Sequence, residues 1–249
     1  MSRPSALERL PELAGRVLAL FLDYDGTLTP IVERPEDAVL PQATREVLRS
    51  LTRRYPVAIV SGRDLADVRA RVGLEDVHYA GSHGFDIAGP KGSHQHEAAR
   101  AAAPRLAAAA DDIERATREL AGVQLERKRF ALAVHFRRAP QSRDAVERAV
   151  DAALARRAGL RKTGGKMIFE LRPDVAWDKG RAVLWLVEEL GLQDALPVYV
   201  GDDETDEDAF RALAGRGVGI AVQEAPHDTA AAWTLRDPDE VRAFLAQLA

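Results

Sequence analysis

Val17-Leu18-Ala19-Leu20-Phe21-Leu22-Asp23-Tyr24-Asp25-Gly26-Thr27 decides the fold. An apolar run of this length, rich in strand formers and closed by a turn, reads as a buried strand of a parallel sheet. Ligands of open α/β sheets bind beyond the carboxyl ends of the strands, so Asp23 and Asp25 are delivered to the place where chemistry is expected. With one residue between them, the two carboxylates share a side of an extended chain. Their joint charge attracts a hard cation such as Mg²⁺. Gly26 lets the backbone turn sharply, and Thr27 adds a hydroxyl. An acidic turn after a strand uses the same residue types, so the motif takes its weight from three later segments. Ser61-Gly62-Arg63 follows the run Val57-Ala58-Ile59-Val60, and Asp178-Lys179-Gly180 opens a helical pattern. Gly201-Asp202-Asp203-Glu204-Thr205-Asp206 follows Pro197-Val198-Tyr199-Val200.

Composition bounds what these segments can serve. A chain of 249 residues buries a real core as one large domain or two modest ones. With 35 Lys+Arg against 39 Asp+Glu the net charge is −4, which argues against nucleic acid or an anionic membrane as partner. No apolar stretch spans a bilayer, and the first residues lack the pattern of a signal peptide. The absence of cysteine excludes disulfides and thiolate metal sites and fits a cytoplasmic protein. The expectation is a cytoplasmic monomer acting on a small molecule.

Strand and helix patterns alternate at both ends of the chain and not in the middle. The run at 17–22 is followed by a helix over 42–53, with Ala43, Val47, Leu48 and Leu51 on one face. A strand at 57–60, a helix over 64–72 and a hairpin turning at Gly89-Pro90-Lys91-Gly92 come next. From about residue 100 to 120 an Ala-rich helix is expected, with Pro104 in its first turn. Strands at 123–127 and 130–136, a helix over 142–157, and strands near 160–162 and 167–171 complete a small α+β unit. The first rhythm then resumes with a helix over 179–190, a strand at 198–200, a helix over 204–214, a strand at 218–222 and a closing helix over 239–248. The fold class is therefore α/β, a Rossmann-like parallel-sheet core with an inserted α+β cap domain. The core takes residues 1–102 and 175–249 and the insert 103–174, with linkers near Ala101–Pro104 and Arg172-Pro173-Asp174.

The four core segments, in this order, resemble the haloacid dehalogenase superfamily of aspartate-nucleophile phosphatases. The resemblance implies that Asp23 attacks phosphorus to form an aspartyl-phosphate, which splits a very slow reaction into two steps. It makes Asp25 the group that protonates the leaving oxygen and later takes a proton from water, with its backbone carbonyl a metal ligand. The reverse assignment of the two carboxylates is chemically possible. Lys179, at a helix N-terminus, suits the charge of Asp23 and of phosphoryl oxygens, although Asp-Lys-Gly alone reads as a surface helix start. Ser61 and the N–H groups around Gly62 suit phosphoryl oxygens, and Ser-Gly-Arg-Asp also opens a helix. Arg63 suits a phosphate or a nearby carboxylate equally. A small octahedral cation takes few protein carboxylates. Asp202 is expected as the direct ligand and Asp206 as a ligand or just behind it, whereas Asp203 or Glu204 suits a helix cap. The metal set is thus Asp23, Asp25, Asp202 and Asp206.

The insert carries Arg127-Lys128-Arg129, His135 and Gly164-Gly165-Lys166-Met167-Ile168-Phe169-Glu170-Leu171-Arg172-Pro173. From residue types alone these belong to a solvated sheet face of mixed charge. D-Y-D-G-T-L, S-G-R, the G-x-H-G loop, G-K-x-x-x-E-x-R-P, W-D-K-G and G-D-D-x-T-D-E together are similar to trehalose-6-phosphate phosphatases, from Asp23 to Phe210. That resemblance implies a Mg²⁺-dependent release of phosphate from trehalose 6-phosphate, in a free-standing form without a synthase-like domain. The cap then supplies selectivity, with Arg127, Lys166 and Glu170 at the sugar beside Ser61, Gly62, Arg63 and His83. The loop departs from the family pattern as Gly81-Ser82-His83-Gly84-Phe85-Asp86, which leaves the roles of His83 and Asp86 open. His94 and His96 flank a hairpin turn without further ligands and read as surface residues. The same chemistry on sucrose phosphate or mannosylglycerate phosphate is one alternative. A non-enzymatic phospho-receiver is another, opposed by Asp25 and by the size of the insert.

Overall fold

In a computed structural model of the chain, which describes residues 3–90, 92–165 and 167–249, the run after Val17 forms strand β1 (Leu18–Leu22), buried along its whole length. The other strands are β2 (Val57–Val60), β3 (His78–Gly81), β4 (Asp86–Gly89), β5 (Gly92–Gln95), β6 (Gln124–Arg127), β7 (Leu132–His135), β8 (Leu160–Gly165), β9 (Ile168–Pro173), β10 (Leu196–Gly201), β11 (Val218–Val222) and β12 (Trp233–Leu235). The α-helices are α1 (Ala6–Arg9), α2 (Gln42–Leu51), α3 (Leu65–Val72), α4 (Glu97–Thr117), α5 (Arg143–Ala155), α6 (Lys179–Glu189), α7 (Asp206–Leu213) and α8 (Pro238–Leu248).

The chain divides into two units, residues 1–94 with 177–249, and residues 95–176. The first is built on a sheet of order β12-β11-β10-β1-β2-β3-β4-β5, parallel from β12 to β3, with β4 antiparallel to β3. Alternation along β1 makes two cores. Leu18, Leu20 and Leu22 face one side with Leu48 and Leu51 of α2, Val68 of α3, and Phe244 and Leu245 of α8. Ala19 and Phe21 face the other with Val183 and Leu186 of α6 and Phe210 and Leu213 of α7. Each fully buried Leu or Phe contributes roughly 1.5–3 kcal/mol over an exposed one. The strand order runs outward in both directions from β1, so the crevice at its carboxyl end is a topological switch point.

The second unit is an antiparallel sheet, order β6-β7-β9-β8, with its own core. Leu132, Val134, Phe169 and Leu171 meet Leu106 and Ile113 of α4 and Val146 and Val150 of α5 on one face. Register then assigns Glu126, Ala133, Glu170 and Thr163 to the opposite face.

Several elements differ from the sequence expectation, each for a local reason. α4 begins at Glu97, so Pro104 lies inside it rather than in its first turn. Pro104 and Arg100 are exposed, on the solvent side of the helix where the lost backbone hydrogen bond costs least. The expected outgoing linker at 101–104 is therefore helical, and the unit boundary falls at His94 and Gln95. Arg172 and Pro173 are not linker either but pair with Arg161 and Leu160, proline being tolerated at the strand end. The three-residue β12 and the single turn of α1 are too short for hydrophobic periodicity to announce them. α7 starts at Asp206 because Asp203 Oδ1 caps the turn before it, accepting from the Thr205 N–H at 2.9 Å and the Asp206 N–H at 3.2 Å.

Candidate active site

Adjacent parallel strands bring the acidic segments together. Leu22 is in register with Val200 of β10, and the Asp23 N–H donates to the Val200 carbonyl at 2.9 Å. Asp23 and Asp202 thus leave neighbouring strands at the same level, and Ser61 leaves β2 on the other side of β1. Asp23, Asp202 and Asp206 each offer a carboxylate oxygen within 4.8 Å of the others. Gly26 makes this approach possible, with φ of +80° and a position where a Cβ would stand 2.1 Å from Asp202 Oδ2. The Thr27 hydroxyl donates to Asp202 Oδ1 at 3.0 Å.

Lys179 is the first residue of α6 and is almost fully buried. Its Nζ donates to Asp23 Oδ1 at 2.9 Å and to Asp206 Oδ1 at 2.7 Å, and lies 3.7 Å from Asp203. Burial alone would lower its pKa, but Asp206 and Asp23 outweigh it and hold the ammonium well above the usual lysine range. Burial raises the Asp23 carboxyl well above the ordinary value, with Lys179 opposing and the other three aspartates reinforcing. Asp202 is pushed up to about 7 by burial and by Asp206. Four carboxylates around one ammonium leave uncompensated negative charge, and their donors are all oxygen, the set a hard divalent cation takes.

Asp206 is occupied differently from Asp202. Its Oδ1 also accepts from the Tyr199 hydroxyl at 2.5 Å, and its Oδ2 accepts from the N–H groups of Asp202 at 2.9 Å and Asp203 at 3.0 Å. Sequence reasoning does not single out Tyr199. The available signal is a phenol inside an apolar strand, since a buried tyrosine hydroxyl needs a partner.

Asp25 does not point its side chain at the cluster; both its oxygens are held by Arg63 at 2.7 Å. Of the two readings of Arg63, the geometry realises the carboxylate partner. Ser61 is buried beside it, its Oγ accepting from the Arg63 N–H at 3.1 Å. The His83 ring packs against Gly62. Ser82 and His83 both adopt left-handed backbone, φ 50° and 57°, an unusual pair for non-glycine residues that clusters where a site imposes it. The Ser82 N–H donates to the Arg63 carbonyl and the His83 N–H to that of Ser61, tying this turn to the Ser61-Gly62-Arg63 segment. His94 stacks on Trp185, with ring centroids 4.6 Å apart.

In the second unit, Glu170 is buried on the face opposite α4 and α5, paired with Arg172 and with Lys128 at 3.5 Å. His135 lies 3.0 Å from Glu126. Arg127 is on the opposite face from Glu170, bonded to Asp111 at 2.8 Å and Glu114 at 2.6 Å of α4, so Glu170 and Arg127 are not brought together. Lys166 lies outside the described residues.

Residues 21–239 match the family model described as trehalose-phosphatase. The chain is 50% identical over 256 residues to a protein of Mycobacterium tuberculosis named an uncharacterized glycosyl hydrolase, covering 98% of this chain and 19% of that one. It spans about a fifth of the length of that relative. It is 41% identical over 258 residues to a probable trehalose-phosphate phosphatase of Oryza sativa subsp. japonica, covering 98% of this chain and 70% of the relative. The solved C-terminal domain of trehalose-6-phosphate phosphatase from C. albicans is similar at a TM-score of 0.82 and 26% identity, over 99% of this chain and 97% of that domain. No helix among the described residues is long and apolar enough to cross a membrane.

Proposed function

The chain belongs to the trehalose-phosphatase family, and from that membership and the geometry at the strand ends we propose that it is a Mg²⁺-dependent phosphoric monoester hydrolase that releases phosphate from trehalose 6-phosphate. The observation that carries the reading is Lys179 bridging Asp23 and Asp206 within the oxygen cluster of Asp23, Asp202 and Asp206.

Asp23 is the nucleophile, and its attack on phosphorus expels the sugar oxygen and leaves an aspartyl-phosphate that water then hydrolyses. Lys179 keeps Asp23 in one position and offsets the phosphoryl charge, aided by the N-terminus of α6. Ser61 and the N–H groups of the Gly62 segment receive phosphoryl oxygens. Asp25 gives the leaving oxygen its proton and recovers one from the attacking water. Asp23, Asp202 and the Asp25 carbonyl would hold Mg²⁺, which when bound neutralises charge on the phosphoryl group. Asp206 has both oxygens engaged by four donors, and its task is to fix Lys179 and the Asp202-Asp203 backbone. The insert supplies selectivity through the polar face that carries Glu170.

Phosphate release from trehalose 6-phosphate, sucrose 6-phosphate, glucose 6-phosphate and p-nitrophenyl phosphate, with Mg²⁺ and with chelator, tests the reading. Preference for trehalose 6-phosphate that disappears with chelator is expected. Asp23→Asn is expected to lower turnover about a thousandfold or more with the melting temperature kept. Normal turnover in that variant would remove Asp23 from its role.

A further inference from the structure

Arg63 is nearly enclosed, with a side chain 10% exposed, and four hydrogen bonds engage its guanidinium. Nε and Nη2 take the two oxygens of Asp25 at 2.7 Å each, Nη1 takes Asp67 at 2.8 Å, and Nη2 also takes the Pro35 carbonyl at 2.8 Å. The guanidinium also lies over the Tyr24 ring, 5.5 Å from its centroid. Asp67 is itself held by Arg71 at 2.8 Å, and Arg71 bonds the Ala38 carbonyl at 2.9 Å. The guanidinium is thus anchored from three sides that do not involve Asp25. Such a group has little left to offer a phosphate. It is instead a fixed fork for one carboxylate, and a fork of this shape imposes orientation as well as charge.

This arrangement bears on the leaving-group step. The fork fills the two lone pairs that face it, so to carry a proton there and pass it to a sugar oxygen Asp25 must leave at least one arm of the fork. Asp67, Pro35 and Tyr24 hold Arg63 in place when it does. We infer that Arg63 is a positioning residue that parks the Asp25 carboxylate away from the acidic cluster between turnovers and hands it to the leaving oxygen, and is not a ligand of the phosphoryl group. This rests on the assignment of Asp25 as the proton donor. Without the fork, Asp25 samples other rotamers, and the step that needs its proton slows.

Leaving groups separate the possibilities. A sugar alkoxide needs a proton as it departs, whereas p-nitrophenolate does not. In Arg63→Gln, kcat/KM, which reports the steps up to departure of the leaving group and not the shared hydrolysis of the aspartyl-phosphate, is expected to fall about tenfold or more for trehalose 6-phosphate and less than about threefold for p-nitrophenyl phosphate. Inhibition by inorganic phosphate should stay within about twofold of wild type. In an Asp25→Asn background, Arg63→Gln should add less than about twofold, because its effect passes through Asp25. Equal losses of kcat/KM on the two substrates, additive losses in the double variant, or an about tenfold weaker phosphate inhibition would overturn the assignment. Arg63→Lys, which keeps charge and loses the fork, carries the same test if Arg63→Gln does not fold. A wild-type chain inert toward both substrates would overturn the phosphatase reading itself, a result separate from these.

Discussion

At the scale of single residues, the site is an imbalance of charge held in place by hydrogen bonds, and Asp202 is one source of its pH dependence. The Asp202 carboxyl is raised to about 7, so between the ordinary carboxylate range and that value the folded protein retains a proton that the unfolded chain gives up. Stability of the metal-free protein from this group therefore falls as pH rises through that window. A divalent cation reverses the preference, because it takes the deprotonated carboxylate. The rise in melting temperature on adding Mg²⁺ is expected to be larger at about pH 8 than at about pH 5.5. Asp202→Asn should give a smaller rise at both pH values, because one of the carboxylates that hold the ion is gone. Thermal melts with and without Mg²⁺ decide the matter, and an equal rise at both pH values in the wild type would sink it. The identity of the carboxylates was legible in the sequence, but their occupancy was not. Asp206 differs from Asp202 through Tyr199 and two backbone N–H groups, and Asp25 is turned aside by Arg63, across 38 residues.

At the scale of elements, two helix N-termini converge on the carboxyl ends of β1 and β10. Lys179 opens α6 and Asp206 opens α7, and the 2.7 Å bond between them depends on how closely the helices pack. Gly180 sets that approach, since a Cβ there would stand 2.3 Å from the Asp208 carbonyl oxygen and 2.9 Å from the Ala212 methyl. Gly180→Ala must therefore push α6 and α7 apart. The expected cost is about 1–3 kcal/mol of stability and a lower kcat, because Lys179 moves with its helix. Denaturant unfolding and steady-state kinetics on the same preparation check both, and an unchanged variant would show the contact to be soft. The strands that carry the site were readable because continuous apolar runs ending in acidic or Ser-Gly turns are local signals. Gly180 in Asp-Lys-Gly was readable as a helix start, but its partner on α7 is a tertiary fact with no local trace. The left-handed Ser82 and His83 are likewise set by bonds to Arg63 and Ser61 that no short window contains.

At the scale of the whole molecule, the described residues pack into two hydrophobic cores in one unit and a separate one in the other. The break in strand–helix rhythm marked the insert in the sequence, but Arg127 was placed with Glu170 at the sugar, and the structure puts the two on opposite faces. Alternation cannot say which side the helices cover, and α4 covers the side of Arg127. Glu170 lies on the other side, its carboxylate buried between Arg172 and Lys128. A carboxylate fixed by two cations is a rigid acceptor for sugar hydroxyls, and one that forms such bonds discriminates strongly against ligands lacking them. Glu170→Gln keeps the shape and removes the charge. It is expected to raise KM for trehalose 6-phosphate about 10–100-fold, and to leave p-nitrophenyl phosphate, which has no hydroxyls to recognise, within about twofold. A melting curve in parallel reports any loosening from the two cations left behind. Equal changes in KM for the two substrates would take sugar recognition away from this face and return it to the residues at the strand ends.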